Sequence, residues 1–337
     1  MPRSGKVDRS FFVEYIEPRL GATREDVRKG PAHGVDFGVI DVGDRSLVIS
    51  TDPISILPAL GFEKAGRFAM QFVLADVAVS GVPPSHLTIS LALPPVIDED
   101  AFQAYWTGID AVCREHDVAI ISGHTAHYPD ASLPWIGSAT AFGVGDSSRL
   151  VYPDGAKPGD RLLVTKGPAV EATGLLASLF GEQIDLDPDV LAEARNRLAD
   201  TAVVGDALAA ASAGSVSAMH DATEGGLLGA AFELAESSGV RIDVVTDAVP
   251  RLPGVTETCE ALGMDPWRAG SGGTLLLAVP SRSVERVRQA LESRGTPVSV
   301  AGQIEAGEGV TVDGVPADRP AGDSSWSVYE QFLDELE

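Results

Sequence analysis

Apolar and polar positions along this chain switch between a period of two and a period near 3.6, and the switches mark its elements. Residues 47–50 (LVIS) are apolar and β-branched and read as a buried strand, which Thr51-Asp52-Pro53 ends because proline cannot carry a hydrogen-bonded ladder onward. Asp52 is thereby expected at a strand's carboxyl end. Residues 67–79 repeat apolar side chains at Phe68, Phe72, Ala75 and Val79, while Met70, Val73, Leu74 and Val77 fill most of the remaining surface. A helix apolar nearly all round is a buried one. Asp76 falls in its last turns, where the helix dipole disfavours an anion by about 0.3–1 kcal/mol and burial of an unpaired charge costs far more. Asp76 therefore needs a partner: a metal ion, a neighbouring loop that it caps, or an arginine such as Arg67 or Arg45.

The same reading extends along the chain. Residues 11–20 predict a short helix, 35–40 a strand carrying Asp36, Gly43-Asp44 a hairpin turn, and 46–50 its antiparallel return. Strands follow at 87–93, at 118–122 (buried, running into Gly123-His124-Thr125) and at 136–144, with a helix opened by Asp98-Glu99-Asp100 between the first two. Residues 152–160 are dense in turn formers and read as a linker, dividing the chain into domains 1–152 and 153–337. Beyond it come strands at 161–165, 215–219, 242–245, 274–279, 298–304 and 310–312. Helices are expected at 170–179, 190–211, 225–237 and 283–294, with a loop at 220–224 and a short acidic helix at 325–337. This alternation predicts an α/β (α+β) protein of two domains. Asp36, Asp52 and Asp76 lie on separate elements that can converge, an arrangement suited to Mg²⁺ carrying nucleotide phosphates.

Composition narrows the partners. With 25 basic and 49 acidic residues among 337, the formal charge is −24, which argues against nucleic-acid binding. Only five basic residues are lysines, and the acidic excess is spread along the chain, a surface suited to strong salt and hence to a halophilic source. Cys113 and Cys259 each fall in a helical pattern and read as buried hydrophobes in a reducing compartment. No apolar run reaches the ~20 residues of a membrane span, and residues 1–5 form no signal peptide, so a cytoplasmic protein without a membrane partner is expected.

A second informative stretch is MHDATEGGLLG, residues 219–229. A strand end, Asp221, Thr223 and the glycine pair Gly225-Gly226 opening a helix make a place where backbone N–H groups can receive an anion such as a phosphate. An ordinary helix cap by Asp221 or Thr223 explains the same residues, and Glu224 counts against a bare phosphate. Dinucleotide and Walker-type phosphate loops are absent: no G-x-G-x-x-G follows a strand, and residues 61–68 lack the Lys-Ser/Thr pair. His124-x-x-His127 offers two imidazoles to a transition metal without a third ligand nearby.

Taken in order, VDFGVID, STDP, ADVAVSG, ISGHT, TKGPAVEATGLLA, HDATEGGLLGAAFELA and GGTLLLAVP resemble, from about residue 30 to 305, one enzyme family. It comprises aminoimidazole ribonucleotide (AIR) synthetase (PurM), selenophosphate synthetase, thiamine-monophosphate kinase and the hydrogenase-maturation dehydratase HypE. The likeness is strongest to HypE and to archaeal proteins described only as AIR synthetase-related. The resemblance implies a two-domain PurM-like fold, a homodimer, and ATP bound by the amino-terminal domain with Mg²⁺ held by aspartates. Carried over, Asp36, Asp52 and Asp76 look like the Mg-ATP carboxylates, with Asp52 also counted as catalytic. Asp221 with Gly225-Gly226 looks like the phosphate-side element, and Thr125 and Thr223 join the nucleotide contacts. His124 stands where relatives often carry an acid and is taken as a pH-sensitive catalytic donor. Glu224 replaces an arginine of the dehydratase. The dehydratase's carboxyl-terminal cysteine has no counterpart in Asp334-Glu335-Leu336-Glu337, and no cysteine precedes Cys113, as selenophosphate synthesis would require.

The expected function is therefore Mg-ATP-dependent phosphoryl transfer that activates a small-molecule or carrier-bound acceptor. The alternatives are a thiamine-monophosphate kinase-like phosphotransferase and a non-catalytic nucleotide-binding assembly or sensor protein. Lys166, Glu171 and Thr173 fall where they could face the substrate, a solvated lysine and a helix cap being the plain alternative.

Overall fold

The computed structural model describes residues 5–334. Two compact units divide it: residues 24–30 with 36–150 form one, and residues 5–23, 31–35 and 151–334 group in the other. The main division, between Leu150 and Val151, falls close to the turn-rich linker. Chain order alone does not assign the first 35 residues, because the amino-terminal stretch packs with the carboxyl-terminal half.

In the 24–150 unit the sheet order is β1 (Val27–Lys29), β2 (Gly38–Val42), β3 (Arg45–Ser55), β6 (Trp135–Asp146), β4 (His86–Leu93) and β5 (Ala119–His127). Helices α1 (Phe62–Val79) and α2 (Glu99–Glu115) pack on each other, and α1 lies on β3 and β6. One sheet face is buried, carrying Val48, Ser50 and Ile54 of β3, Leu87, Ile89 and Leu91 of β4, and Ala139 and Ala141 of β6. The helices approach closely because glycines face each other's backbone: a Cβ on Gly66 would collide with the Tyr105 carbonyl, and one on Gly108 with the Glu63 carbonyl. As its pattern predicts, α1 is buried on most sides.

Two expectations fail in this unit. Strand β3 does not stop at Asp52-Pro53 but runs to Ser55, pairing Asp52 with Ala139 and Pro53 with Ser138 of β6. Strand β2 pairs with β3 only as far as Gly38↔Ile49, so Pro53 faces a β2 partner nowhere, and proline is tolerated where one side of a strand is open. Strand β5 is not buried. It is the sheet's edge, and most of its residues are exposed, Ile121 at 57%.

The other unit holds a seven-stranded sheet in the order β13 (Val315–Pro316), β12 (Gly309–Val312), β9 (Arg241–Val244), β11 (Val298–Glu305), β7 (Asp160–Thr165), β10 (Thr274–Pro280) and β8 (Ala218–Ala222). Around it lie α3 (Val170–Phe180), α4 (Pro188–Asn196), α5 (Val204–Ala213), α6 (Gly226–Ser238), α7 (Val255–Leu262), α8 (Val284–Glu292) and α9 (Ser324–Asp334). β10 is apolar from Leu275 to Val279 and β7 from Leu162 to Val164, and these residues are buried on both faces, as expected for strands covered on both sides. Among the described residues no helix is long and apolar enough to cross a membrane. Cys113 and Cys259 are both buried and free.

The single helix expected over 190–211 is broken into α4, a 3₁₀ stretch (Arg197–Thr201) and α5. The break frees the Asp200 and Ala202 carbonyls, and both accept hydrogen bonds from the Lys166 ammonium at 2.7 Å. His220 and Asp221, expected in a loop, continue strand β8 and are buried. The terminal helix α9 buries Phe332 against Phe180, with ring centroids 4.7 Å apart, so this tail carries a packed apolar face. Residues 335–337 of the predicted acidic helix lie outside the described residues.

Candidate functional site

Antiparallel pairing and the period of two decide which side chains of β3 meet the helices. Ser50 and Asp52 share the covered face, and Asp76 projects from the carboxyl-terminal part of α1. The Ser50 hydroxyl lies 2.7 Å from an Asp76 carboxylate oxygen and 3.4 Å from one of Asp52. Two of the three predicted carboxylates are thus brought to one hydroxyl, both half-buried. Of the two candidate arginines, Arg67 is bound to Glu115 at 2.6 Å and Arg45 donates to the Val144 carbonyl at 2.9 Å. Asp36, expected on a strand at 35–40, lies instead in the loop before it, half-buried two residues ahead of β2, whose pairing with β3 begins at Gly38.

Ser50 went unnoticed in the sequence, although its signal was there. It stands two residues before Asp52 in a strand, and such positions point to the same face. The donor set here is oxygen throughout, which suits a hard cation such as Mg²⁺ and not a thiophilic one.

His124 is placed elsewhere. Ladder partners put Pro53, Ser138, Ser90 and His124 in one row across the sheet, and Asp52, Ala139, Ile89 and Gly123 in the next. His124 therefore points to the face opposite Asp52, three strand spacings or roughly 14 Å across the sheet. Its Nε2 lies 3.3 Å from the Tyr128 hydroxyl. Thr125 shares the sheet face of Asp52 but sits on the exposed edge strand. His124 and His127, three apart in a strand, point to opposite faces, so the histidine pair does not converge on one metal.

In the larger unit Asp221 is the last residue but one of β8, and the turn that follows is set by backbone requirements. Gly225 and Gly226 have φ of +81° and +67°, and a Cβ on Gly226 would come within 2.7 Å of the Trp267 and Ala269 carbonyls. Only glycine fits there without displacement. The Gly225 N–H, at the start of α6, donates to an Asp323 carboxylate oxygen at 2.9 Å. Nearby, Gly272 donates its N–H to Glu171 at 3.1 Å. From the amino-terminal stretch, the Lys6 N–H reaches both oxygens of Glu224 at 2.9 Å, and Lys6 Nζ lies 3.4 Å from Thr223 Oγ1.

The charges around this turn perturb one another. Burial pushes the Asp221 carboxyl up, against the pull of His220 and Lys6. Burial likewise raises Glu224, offset by the Lys6 N–H and ammonium. Glu171 is pushed up to about 7, chiefly by burial, with the Gly272 N–H opposing and Asp323, Glu224 and Asp221 adding repulsion. Beneath the strand, the buried His220 sits with Nδ1 2.7 Å from the Asp221 carbonyl oxygen and Nε2 3.2 Å from Glu233. Burial works to raise Glu233, but the His220 hydrogen bond and the Lys6 charge overcome it and hold that carboxyl at about 2.

Of the three residues expected to face substrate, only Glu171 reaches this turn. Lys166 is buried, bound to Asp200, Ala202 and Asp206, and Thr173 is fully buried within α3. Lys6 and Asp323 were not foreseen. Lys6 had a faint signal, being one of five lysines in an acidic chain, while Asp323 precedes a helix and carries no mark of where that helix docks.

Comparison with known proteins places this geometry. Residues 34–144 match the AIR synthase related protein N-terminal domain and residues 157–315 its C-terminal domain. The chain is 28% identical over 314 residues to carbamoyl dehydratase HypE of Escherichia coli, covering 91% of this chain and 88% of that protein. The crystal structure of E. coli HypE aligns with a TM-score of 0.71 and 25% identity, over 93% of this chain and 96% of that one. Thiamine-monophosphate kinase of Pyrococcus horikoshii is 28% identical over 319 residues, 92% of this chain and 91% of the kinase. A structure described as AaThiL complexed with AMPPCP and TMP shares the fold, with a TM-score of 0.71, 24% identity, and coverage of 87% and 91%. Two domain matches in order, a two-unit α/β fold, and relatives that are enzymes along most of its length make this chain a member of the AIR synthase-related (PurM-like) family.

Proposed function

We propose that this chain is an Mg-ATP-dependent enzyme that activates a small-molecule or carrier-bound acceptor by phosphoryl transfer. The observation that carries the reading is the pair of half-buried carboxylates, Asp52 and Asp76, gathered on the Ser50 hydroxyl. Two carboxylates and a hydroxyl converging in one place offer the all-oxygen donor set that a hard divalent ion takes. With Asp36 they would hold Mg²⁺, which supplies charge neutralisation to the nucleotide phosphates when bound. Asp52 and Asp76 fix that charge on a rigid strand and helix, so positioning is built in before nucleotide arrives. Asp221, with Thr223 and the Gly225-Gly226 turn, would orient the phosphoryl group or the acceptor. The nucleotide complex of a fold relative and the enzymes among the relatives support the same reading.

Titration with a non-hydrolysable ATP analogue, with and without Mg²⁺, tests it. Mg-dependent binding that Asp52→Asn abolishes, with the fold intact, is the expected result; equal binding by the variant removes the claim. A homodimer belongs to the same proposal, supported by the exposed edge strand β5, with Ile121 on it and Tyr128 just beyond its end both on the surface. Light scattering of the purified chain reads its mass directly. A thiamine-monophosphate kinase-like activity has one specific support, the P. horikoshii enzyme at 28% identity. Formation of thiamine diphosphate from the monophosphate and ATP would favour it over the HypE-like reading.

A further inference from the structure

A cavity of about 320 Å³ lies wholly within the larger unit, between the loop after β7, the segment leading into α7, α7 itself and the 3₁₀ turn Pro266–Arg268. That is the small end of the range for ligand sites. Pro168, Val255, Met264 and Trp267 give it an apolar lining, while Arg251 and Glu260 bring one charge of each sign. Both charged side chains are exposed, and neither makes an ion pair or a side-chain hydrogen bond with any described residue, each other included. The wall that carries Pro168 is held in an unusual backbone conformation. Lys166 and Ala169 are both left-handed, at φ +54° and +55°, and a Cβ on Gly167 would collide with the Pro250 carbonyl, next to Arg251. Such backbone persists only where its surroundings fix it, and here the Ala169 N–H is tied to the Ser271 hydroxyl at 2.8 Å.

We propose that this cavity binds a free α-amino acid with a large apolar side chain, its carboxylate on Arg251, its ammonium on Glu260 and its side chain against Trp267 and Met264. A simple anion would be opposed by Glu260 and a simple cation by Arg251, whereas a ligand carrying both charges complements both. The planar guanidinium presents a fork of donors that matches the two oxygens of a carboxylate. The apolar lining takes the side chain, with the Trp267 ring as its largest contact surface. This site shares no residue with Asp36, Asp52 and Asp76 or with the Asp221–Gly226 turn, so it does not depend on the Mg-ATP reading.

Calorimetric titration of the full chain with L-phenylalanine, read alongside tryptophan fluorescence, tests the proposal. Saturable binding is expected, and no binding up to millimolar ligand overturns it. Arg251→Gln should weaken L-phenylalanine by about tenfold, the range of a charge-assisted hydrogen bond, and Glu260→Gln should do the same. Both side chains are exposed, so circular dichroism melts of the two variants should match wild type. L-Phenylalaninamide, which has no carboxylate, should bind more weakly than L-phenylalanine and lose nothing further on Arg251→Gln. N-Acetyl-L-phenylalanine, which has no ammonium, should likewise lose nothing further on Glu260→Gln. Wild-type affinity for L-phenylalanine in either variant overturns the role of that charge. An equal loss for all three ligands also overturns it, marking a change in the shape of the cavity.

Discussion

Replacing Lys166 by methionine separates a structural lysine from a substrate-facing one. The ammonium donates to the Asp200 and Ala202 carbonyls at 2.7 Å and lies 3.3 Å from Asp206, with the Lys166 side chain 5% exposed and that of Asp206 6%. Methionine fills similar space but donates nothing. The Asp200 and Ala202 carbonyls then lose their donor, at about 1–3 kcal/mol each where no water replaces it. Asp206 loses one of its partners but keeps Arg294 and Thr296, both at 2.8 Å. That retained pairing holds the total near the roughly 3–5 kcal/mol typical of a broken buried pair. In a protein of this size 1 kcal/mol shifts the melting midpoint by about 2–4 °C, so a fall of roughly 6–20 °C is expected. Circular dichroism melts of the full chain measure it, alongside ATP-analogue binding well below the transition, which should persist. An unchanged melt with lost binding would refute the assignment and return Lys166 to the substrate side.

Other residues give shorter tests. Ser50→Ala removes the hydroxyl shared by Asp76 and Asp52 and should weaken Mg-dependent nucleotide binding by on the order of tenfold, with little effect when Mg²⁺ is omitted; a Mg²⁺ titration reads the difference. Gly108→Ala drives a methyl against the Glu63 carbonyl, so despite alanine's better helix propensity it should cost about 1–3 kcal/mol, seen as a lower urea midpoint. Glu171, with a folded pKa of about 7 against 4.5 unfolded, holds its proton more tightly in the folded state. Its contribution is complete below pH 4.5 and is lost as pH rises toward 7, and Glu171→Gln should flatten that part of a melting-midpoint-against-pH profile.

Local pattern determined much of this protein. The all-round apolar run before Val79, the glycine-led helix after Thr223 and the apolar strand β10 were legible because each depends on neighbours a few residues apart. The ordered motifs likewise identified the family, since spacing and residue type survive where identity is low. What the sequence could not decide depended on which strand lies beside which. Pro53 reads as a strand end until β2 is seen to stop short of it, and β5 reads as buried until it is seen to close the sheet's edge. His124 is close in sequence to residues on the helix-covered face, yet sheet pairing puts it on the opposite one. Lys166 looked available for chemistry until a broken helix turned two carbonyls toward it. Lys6, 217 residues from Thr223 and 218 from Glu224, reaches both. A chain specifies its periodicities locally, but the partner of each charge is set by packing over hundreds of residues, and those partners appear only when the fold is complete.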